Sequence, residues 1–334
     1  MKVSDQIRLR IEEAISSGEL LPGDAIDDVA LAKSHKVSRT PVREVLRELI
    51  TEGPVWTGEE ILFTHIRKSR ILRYDLKTNA INVWREGTNR TNGLCFDAHG
   101  KLFGCCSGGR SIVRFDPDGK NTVIADRLDG KKLSTPNDLA VDRKGRIWFT
   151  NPVNDGNWDK TEKEELDHRS VLRADPQADG SYTVTRVTFD TTQPNGILVS
   201  RDQRTLYVAE SSYTRGIDRE LRAYPIKEDG SLGTYDVLFT WGEDARGLHR
   251  GIDGMCLDAE GNIIATAGWE VSGPGPMLYV FSPQGRVLET HPVNANRPTN
   301  VCFGGPDMTT VFVTSTNGHF FKAQTNRVGW AMFP

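Results

Sequence analysis

One pattern, written six times, constrains this chain more than any other feature. Each copy is a polar residue, a short apolar run, a turn carrying Asp, Gly or both, and a second apolar run. The copies are "EGPVWTGEEILFTHI" at 52, "NGLCFDAHGKLFGCC" at 92, "NDLAVDRKGRIWFTN" at 137, "NGILVSRDQRTLYVAE" at 195, "DGMCLDAEGNIIATA" at 253 and the looser "NVCFGGPDMTTVFVT" at 300. Their starts are 40, 45, 58, 58 and 47 residues apart. Most copies continue into a third strand, as in "SRILRYDL" or "PMLYVFSP", and often a fourth, as in "RVLETHPV". A recurring four-stranded unit of about this length marks a β-propeller blade. A TIM barrel would need helices between the strands, and no segment of the right length exists. The six copies therefore predict a six-bladed, all-β propeller over residues 52–334.

The first residue of each copy carries the chemistry. In order these are Glu52, Asn92, Asn137, Asn195, Asp253 and Asn300. Rotation about a propeller axis brings equivalent positions together, here at the start of each innermost strand. Six carboxylate or amide side chains then point into one end of the channel, and a divalent cation relieves their repulsion. Oxygen-only ligation suits Ca²⁺, Mg²⁺ or Mn²⁺, and Zn²⁺ also accepts carboxylate oxygen. Singly, each is as well read as a turn former, since Asn-Gly and Asp-Gly are common turn pairs. The shared register, and a Glu that is a poor turn residue, favour convergence.

Residues 1–51 follow a different rule, the helical period. Ile7, Ile11, Ala14 and Ile15 predict a helix over 4–17, Pro22-Gly23 a turn, and Asp28 to about His35 a second helix. Ser38 caps a third helix, with Pro41 in its first turn and Val42, Val45, Leu46 and Leu49 as its apolar stripe. Two short helices, the second beginning with arginines, describe a helix-turn-helix whose early residues Arg39, Thr40 and Arg43 reach base edges. The alternative is a solvated charge stripe on a helical cap. "LRELITEGPVW" at 46–56 runs helix into strand, and Glu52 fits both. Its register with Asn137, Asn195 and Asp253 assigns it to the propeller.

The net charge of −3 gives no global attraction to nucleic acid or anionic membrane. No apolar run is long enough to span a bilayer, and the N-terminus lacks a signal-peptide core. Five cysteines, two of them adjacent, read as free thiols in a reducing, cytoplasmic setting. Cys95, Cys256 and Cys302 share one slot and read as small apolar residues of the inner strand.

Two resemblances follow from these motifs. "SSGELLPGDAIDDVALAKSHKVSRTPVREVLRELITEG" resembles the helix-turn-helix of the GntR family of bacterial regulators. That implies Arg39, Thr40 and Arg43 as DNA contacts, although the wing and effector domain of that family do not follow. "EGPVW", "DRLDGKKLSTPNDLAVDRKGRIWFTNP", "QPNGILVSRDQRTLYVAES", "GIDGMCLDAEGNI" and "PTNVCFGGPD" resemble the gluconolactonase, regucalcin and luciferin-regenerating-enzyme propellers. This resemblance implies one divalent metal held by Glu52, Asn195 and Asp253, with Asn137 completing the site or holding substrate. It also implies hydrolysis of sugar lactones. Two positions depart from it. Asn151 stands where many relatives have Asp, and Thr135 where some carry a substrate-gripping arginine.

A lactone is a cyclic ester, so the expected reaction is attack by metal-activated water on its carbonyl. Asp253 is the candidate general base and Glu52 mainly a ligand. Asn92, Asn137 and Asn300 are placed to bind substrate. Two further readings stay open: a DNA-binding regulator whose propeller senses a sugar acid or lactone, and a propeller that binds without turnover. The family's strand before "EGP", which closes the last blade, is replaced here by helix-forming sequence. The last blade is expected either to have three strands or to recruit "RVGWAMF" at 327–333.

Overall fold

The computed structural model describes residues 50–154 and 162–333, together with Gln6, Ile7, Arg10, Ala32 and Lys33. The last five are helical and fall inside the first two expected helices. The third expected helix, with Arg39, Thr40 and Arg43, lies outside the described residues.

From Thr51 onward the chain forms six antiparallel sheets arranged as blades, with strands in sequence order from the channel outward. Blade 1 comprises Thr51–Trp56, Glu60–His65, Arg70–Asp75 and Ile81–Glu86. The inner strands of blades 2 to 6 are Thr91–Phe96, Leu139–Val141, Pro194–Val199, Ile252–Asp258 and Pro298–Gly304. Each inner strand touches those of its two neighbours, and blade 6 touches blade 1, so the ring is closed. Glu52 lies in the inner strand of blade 1 and not in a helix.

The repeated Asp-x-x-Gly turn has a local cause. The carboxylate of Asp97 accepts hydrogen bonds from the backbone N–H of His99 and Lys101, both at 2.9 Å. Asp142 and Asp258 repeat this in blades 3 and 5. The Gly that follows takes a left-handed conformation, φ 76° at Gly100, which other residues adopt at a cost.

The apolar core is divided among the inter-blade spaces. Phe103, Ile112, Leu139 and Phe149 fill the space between blades 2 and 3; Tyr207, Trp241, Met255 and Phe281 fill that between blades 4 and 5. The other four spaces hold similar clusters. All five cysteines are free thiols. Burial pushes the Cys95 thiol up to about 12, which makes it inert.

Among the described residues blade 6 has three strands, ending with Phe320–Gln324. Its seam with blade 1 is closed by side chains instead of a shared strand. Thr51 Oγ1 donates to the Ser315 carbonyl at 3.0 Å, and Thr299 Oγ1 donates to the Thr51 carbonyl at 2.7 Å. Phe320 stacks on Phe63 with ring centroids 4.5 Å apart. The alternative expectation, that 327–333 would complete blade 6, is corrected. Gly329–Trp330 pairs instead with the inner strand of blade 5, opposite Asp258 and Leu257. Arg327 decides this by donating to Asp258 Oδ2 at 2.8 Å. Phe333 then reaches blade 2, 5.4 Å from the Phe96 ring. The tail thus crosses the lower mouth of the channel and floors an apolar cavity of about 160 Å³.

Candidate metal centre and active site

The polar residues of the repeat sit at one channel mouth because the inner strands are bulged there. Strand register slips between Glu52 and Val55, Thr91 and Leu94, Pro194 and Ile197, Ile252 and Met255, and Pro298 and Val301. A bulge adds one residue to one strand and re-aims the side chain beside it. Here the five slips fall at Glu52, Asn92, Asn195, Asp253 and Asn300. Asn137 precedes its strand by two residues and is held by its own N–H, which donates to the Thr150 carbonyl at 2.9 Å. The residue after the polar one passes against the next blade. A Cβ on Gly93 would collide with the Asp138 carboxylate, and one on Gly254 with the Asn300 amide.

Several of these side chains meet. Asn195 Nδ2 donates to Asp253 Oδ1 at 2.8 Å. Arg250 donates to the other oxygen, Asp253 Oδ2, and its guanidinium is almost fully buried. Asn300 Nδ2 faces Asp138 Oδ2 at 3.4 Å. Glu52 is buried, and its Oε2 accepts the Gly53 N–H at 3.0 Å. Burial, reinforced by the charges of Asp253 and Asp138, pushes the Glu52 carboxyl well above the usual carboxylate range. Burial also raises Asp253, while Arg250, Asn195 and Arg297 pull it back. Asp138 is pushed up to about 7, again chiefly by burial.

Asn92 and Asn137 are buried at the same level. The Asn92 side-chain oxygen has no hydrogen-bond partner among the described residues. Sequence reasoning missed Asp138 and Arg250. Asp138 was visible in "PND", where every other blade has Gly or Val at the second position; Arg250 lies three residues before Asp253 with no repeat to flag it. The two departures, Thr135 and Asn151, are fully buried and serve the loop. Thr135 Oγ1 donates to the Pro152 carbonyl at 2.9 Å, and Asn151 Oδ1 accepts the Ser134 N–H at 3.1 Å. His168, His249 and His291 lie away from this cluster: His168 and His291 are bonded to Ser170 and Glu289, and His249 Nε2 lies 3.4 Å from Asp244 Oδ2.

The donor set fits a hard divalent cation. Three carboxyl groups share a desolvated mouth with an orphaned amide oxygen, and the Asp253 charge raises both Glu52 and Asp138. Among the described residues no three His, Cys, Asp or Glu side chains are grouped as a chelate, so a cation here draws on asparagine oxygens as well.

The profile described as "SMP-30/Gluconolactonase/LRE-like region" matches residues 50–317. The chain belongs to this family. A second profile, "Bacterial regulatory proteins, gntR family", matches residues 3–57, so the two overlap at the stretch that contains Glu52. The chain is 26% identical over 314 residues to a gluconolactonase of Zymomonas mobilis, covering 88% of this chain and 82% of that one. It is 28% identical over 269 residues to a pentonolactonase of Haloferax volcanii, covering 80% and 81%. A gluconolactonase structure from Xanthomonas campestris superposes with a TM-score of 0.69 at 28% identity, covering 83% of this chain and 86% of that one. No helix among the described residues is long and apolar enough to cross a membrane.

Proposed function

We propose that this chain hydrolyses a sugar lactone in the channel mouth of residues 52–334, with one divalent cation, in the cytoplasm. The observation that carries this reading is that Asn195 of blade 4 bonds to Asp253 of blade 5 while the buried Glu52 of blade 1 feels the Asp253 charge. The lactonase relatives support the reaction class.

Glu52, Asn195 and Asp253 would hold the cation, with Asn137 as fourth donor. When bound there, the cation supplies Lewis acidity to an ester carbonyl and acidifies a water. The chain's own residues do the rest. Asp253 accepts the proton of the attacking water as the new C–O bond forms. It returns that proton to the ring oxygen as the ester C–O bond breaks, leaving a hydroxy acid. Arg250 holds the Asp253 carboxylate in place from a buried position. Asn92, Asn137 and Asn300 present amides to substrate hydroxyls. Asp138, poised near neutral pH, is a second proton acceptor at the same mouth.

The test is metal analysis of the purified protein together with lactone hydrolysis by wild type and Asp253→Ala. Stoichiometric metal, with activity lost in the variant, is the expected result. A metal-free protein that turns over no lactone at any added cation would end this reading and leave a propeller that binds without turnover.

A second reading rests on the gntR profile over residues 3–57: a DNA-binding regulator with the propeller as sugar-acid or lactone sensor. Arg39, Thr40 and Arg43 would contact DNA from a helical segment spanning 1–51. Sequence-selective gel-shift binding that disappears in Arg43→Ala supports it; equal retardation by both proteins removes it.

A further inference from the structure

Three loops on the same face build a wall beside Asp253. Tyr213 follows the blade 4 strand Thr205–Glu210, Trp269 follows the blade 5 strand Ile263–Ala267, and Arg297 immediately precedes the inner strand of blade 6. The Arg297 guanidinium carbon lies 4.9 Å from the Trp269 ring centroid. The Tyr213 ring is 5.4 Å from that of Trp269.

The wall is fixed. Trp269 Nε1 donates to Ser272 Oγ at 2.7 Å, and Ser272 Oγ donates to the Leu248 carbonyl. Gly268 is left-handed at φ 79°, packed so closely on the Gly275 carbonyl that no Cβ fits. Arg250 ties the parts together. Its Nη1 donates to the Gly268 carbonyl at 3.1 Å and the Pro298 carbonyl at 2.9 Å, while Nη2 holds Asp253. Those carbonyls belong to the neighbours of Trp269 and Arg297. One buried guanidinium thus sets the spacing between Asp253 and the wall.

Arg297 itself is exposed at the mouth. A guanidinium lying over an indole ring is a planar fork of N–H donors whose geometry matches a carboxylate. On the blade 3 side Thr135 is buried in its own loop and turned away from the mouth's contents, its Oγ1 donating to the Pro152 carbonyl. We propose that Arg297, backed by Trp269 and Tyr213, determines specificity by pairing with a carboxylate that the lactone carries at the end remote from its ester. The preferred substrate is then the lactone of a sugar diacid and not of a simple sugar acid. This rests on the lactonase reading. The competing explanation is that Arg297 merely tempers the Asp253 charge, which would alter every lactone alike.

The test compares glucaro-1,4-lactone with glucono-1,4-lactone, equal in ring size and different by one carboxylate. Wild type should prefer the first. In Arg297→Ala the ratio of the two kcat/KM values should fall about tenfold or more, through KM for the diacid lactone, as expected for one lost charge-assisted pair. Arg297→Lys should recover part of it. An unchanged ratio, or a wild type that prefers the neutral lactone, overturns the proposal. Calorimetric binding of glucarate and gluconate separates it from the hydrolase reading. Arg297-dependent preference for glucarate without turnover upholds the subsite and removes the hydrolase; equal affinities remove the subsite.

Discussion

Asn300 Nδ2 stands 3.4 Å from Asp138 Oδ2, although blades 6 and 3 face each other across the channel. At this level the channel is one side-chain pair wide. The position after the repeat's polar residue is Gly in blades 1, 2, 4 and 5 and Val301 in blade 6. Only blade 3 places a carboxylate there, Asp138, whose charge reaches Glu52.

Asp138 should make the metal-free protein less stable as pH rises. Its folded carboxyl titrates at about 7, while the unfolded one titrates near 3.9, roughly the ordinary value. Between those values the folded state holds a proton that the unfolded state has lost. The stabilisation is therefore complete at low pH and disappears as pH rises through 7. Melting temperatures in chelator should fall between pH 5 and pH 8, and Asp138→Asn should flatten that fall. Parallel curves for the two proteins would refute the assignment.

Cation binding should reverse the mutual repulsion of Glu52, Asp138 and Asp253. Adding a divalent cation to chelated protein should raise the melting temperature and restore lactone hydrolysis. Glu52→Gln keeps the shape and removes a charge. It should weaken the cation-dependent shift and reduce kcat/KM about a hundredfold or more, on the scale of losing transition-state charge stabilisation. A full thermal shift in Glu52→Gln would show that the cation binds elsewhere.

Close packing around the ring should make Gly254 intolerant. An added Cβ meets the Asn300 side chain, which is held by its neighbours. Gly254→Ala should cost about 1–3 kcal/mol, as overpacking does in a rigid core, and should also impair hydrolysis. Gly242→Ala, where a Cβ meets nothing within 4 Å, is the control. Urea denaturation of both variants distinguishes a local clash from a general sensitivity.

The seam between blades 6 and 1 should depend on Phe320. In the last described strand of blade 6, this ring packs on Phe63, Tyr74 and Phe312 at 4.5, 5.3 and 5.7 Å. Phe320→Ala should destabilise by about 3–5 kcal/mol, the usual range for a buried Phe. Phe189→Ala, at a residue 71% exposed, should change stability little. A small loss in Phe320→Ala would mean that the ring is closed by other contacts.

The amino-acid sequence by itself determined the blade count, the strand order within most blades and the level of Glu52, Asn195 and Asp253. Each depends on a local rule: alternation along a strand, the Asp-x-x-Gly turn, and a fixed register between polar residue and bulge. The cross-channel partnership of Asp138 with Asn300, the Arg250 tie and the Trp269–Arg297 wall were not legible, because nothing in one blade's letters states what the facing blade presents. The tail shows the same limit. "RVGWAMF" reads as strand, but its partner was chosen by Arg327 reaching Asp258 and Phe333 reaching Phe96, contacts between segments far apart in the chain. Local propensity writes the blades; ring closure, which fixes distances between residues hundreds of positions apart, writes the site.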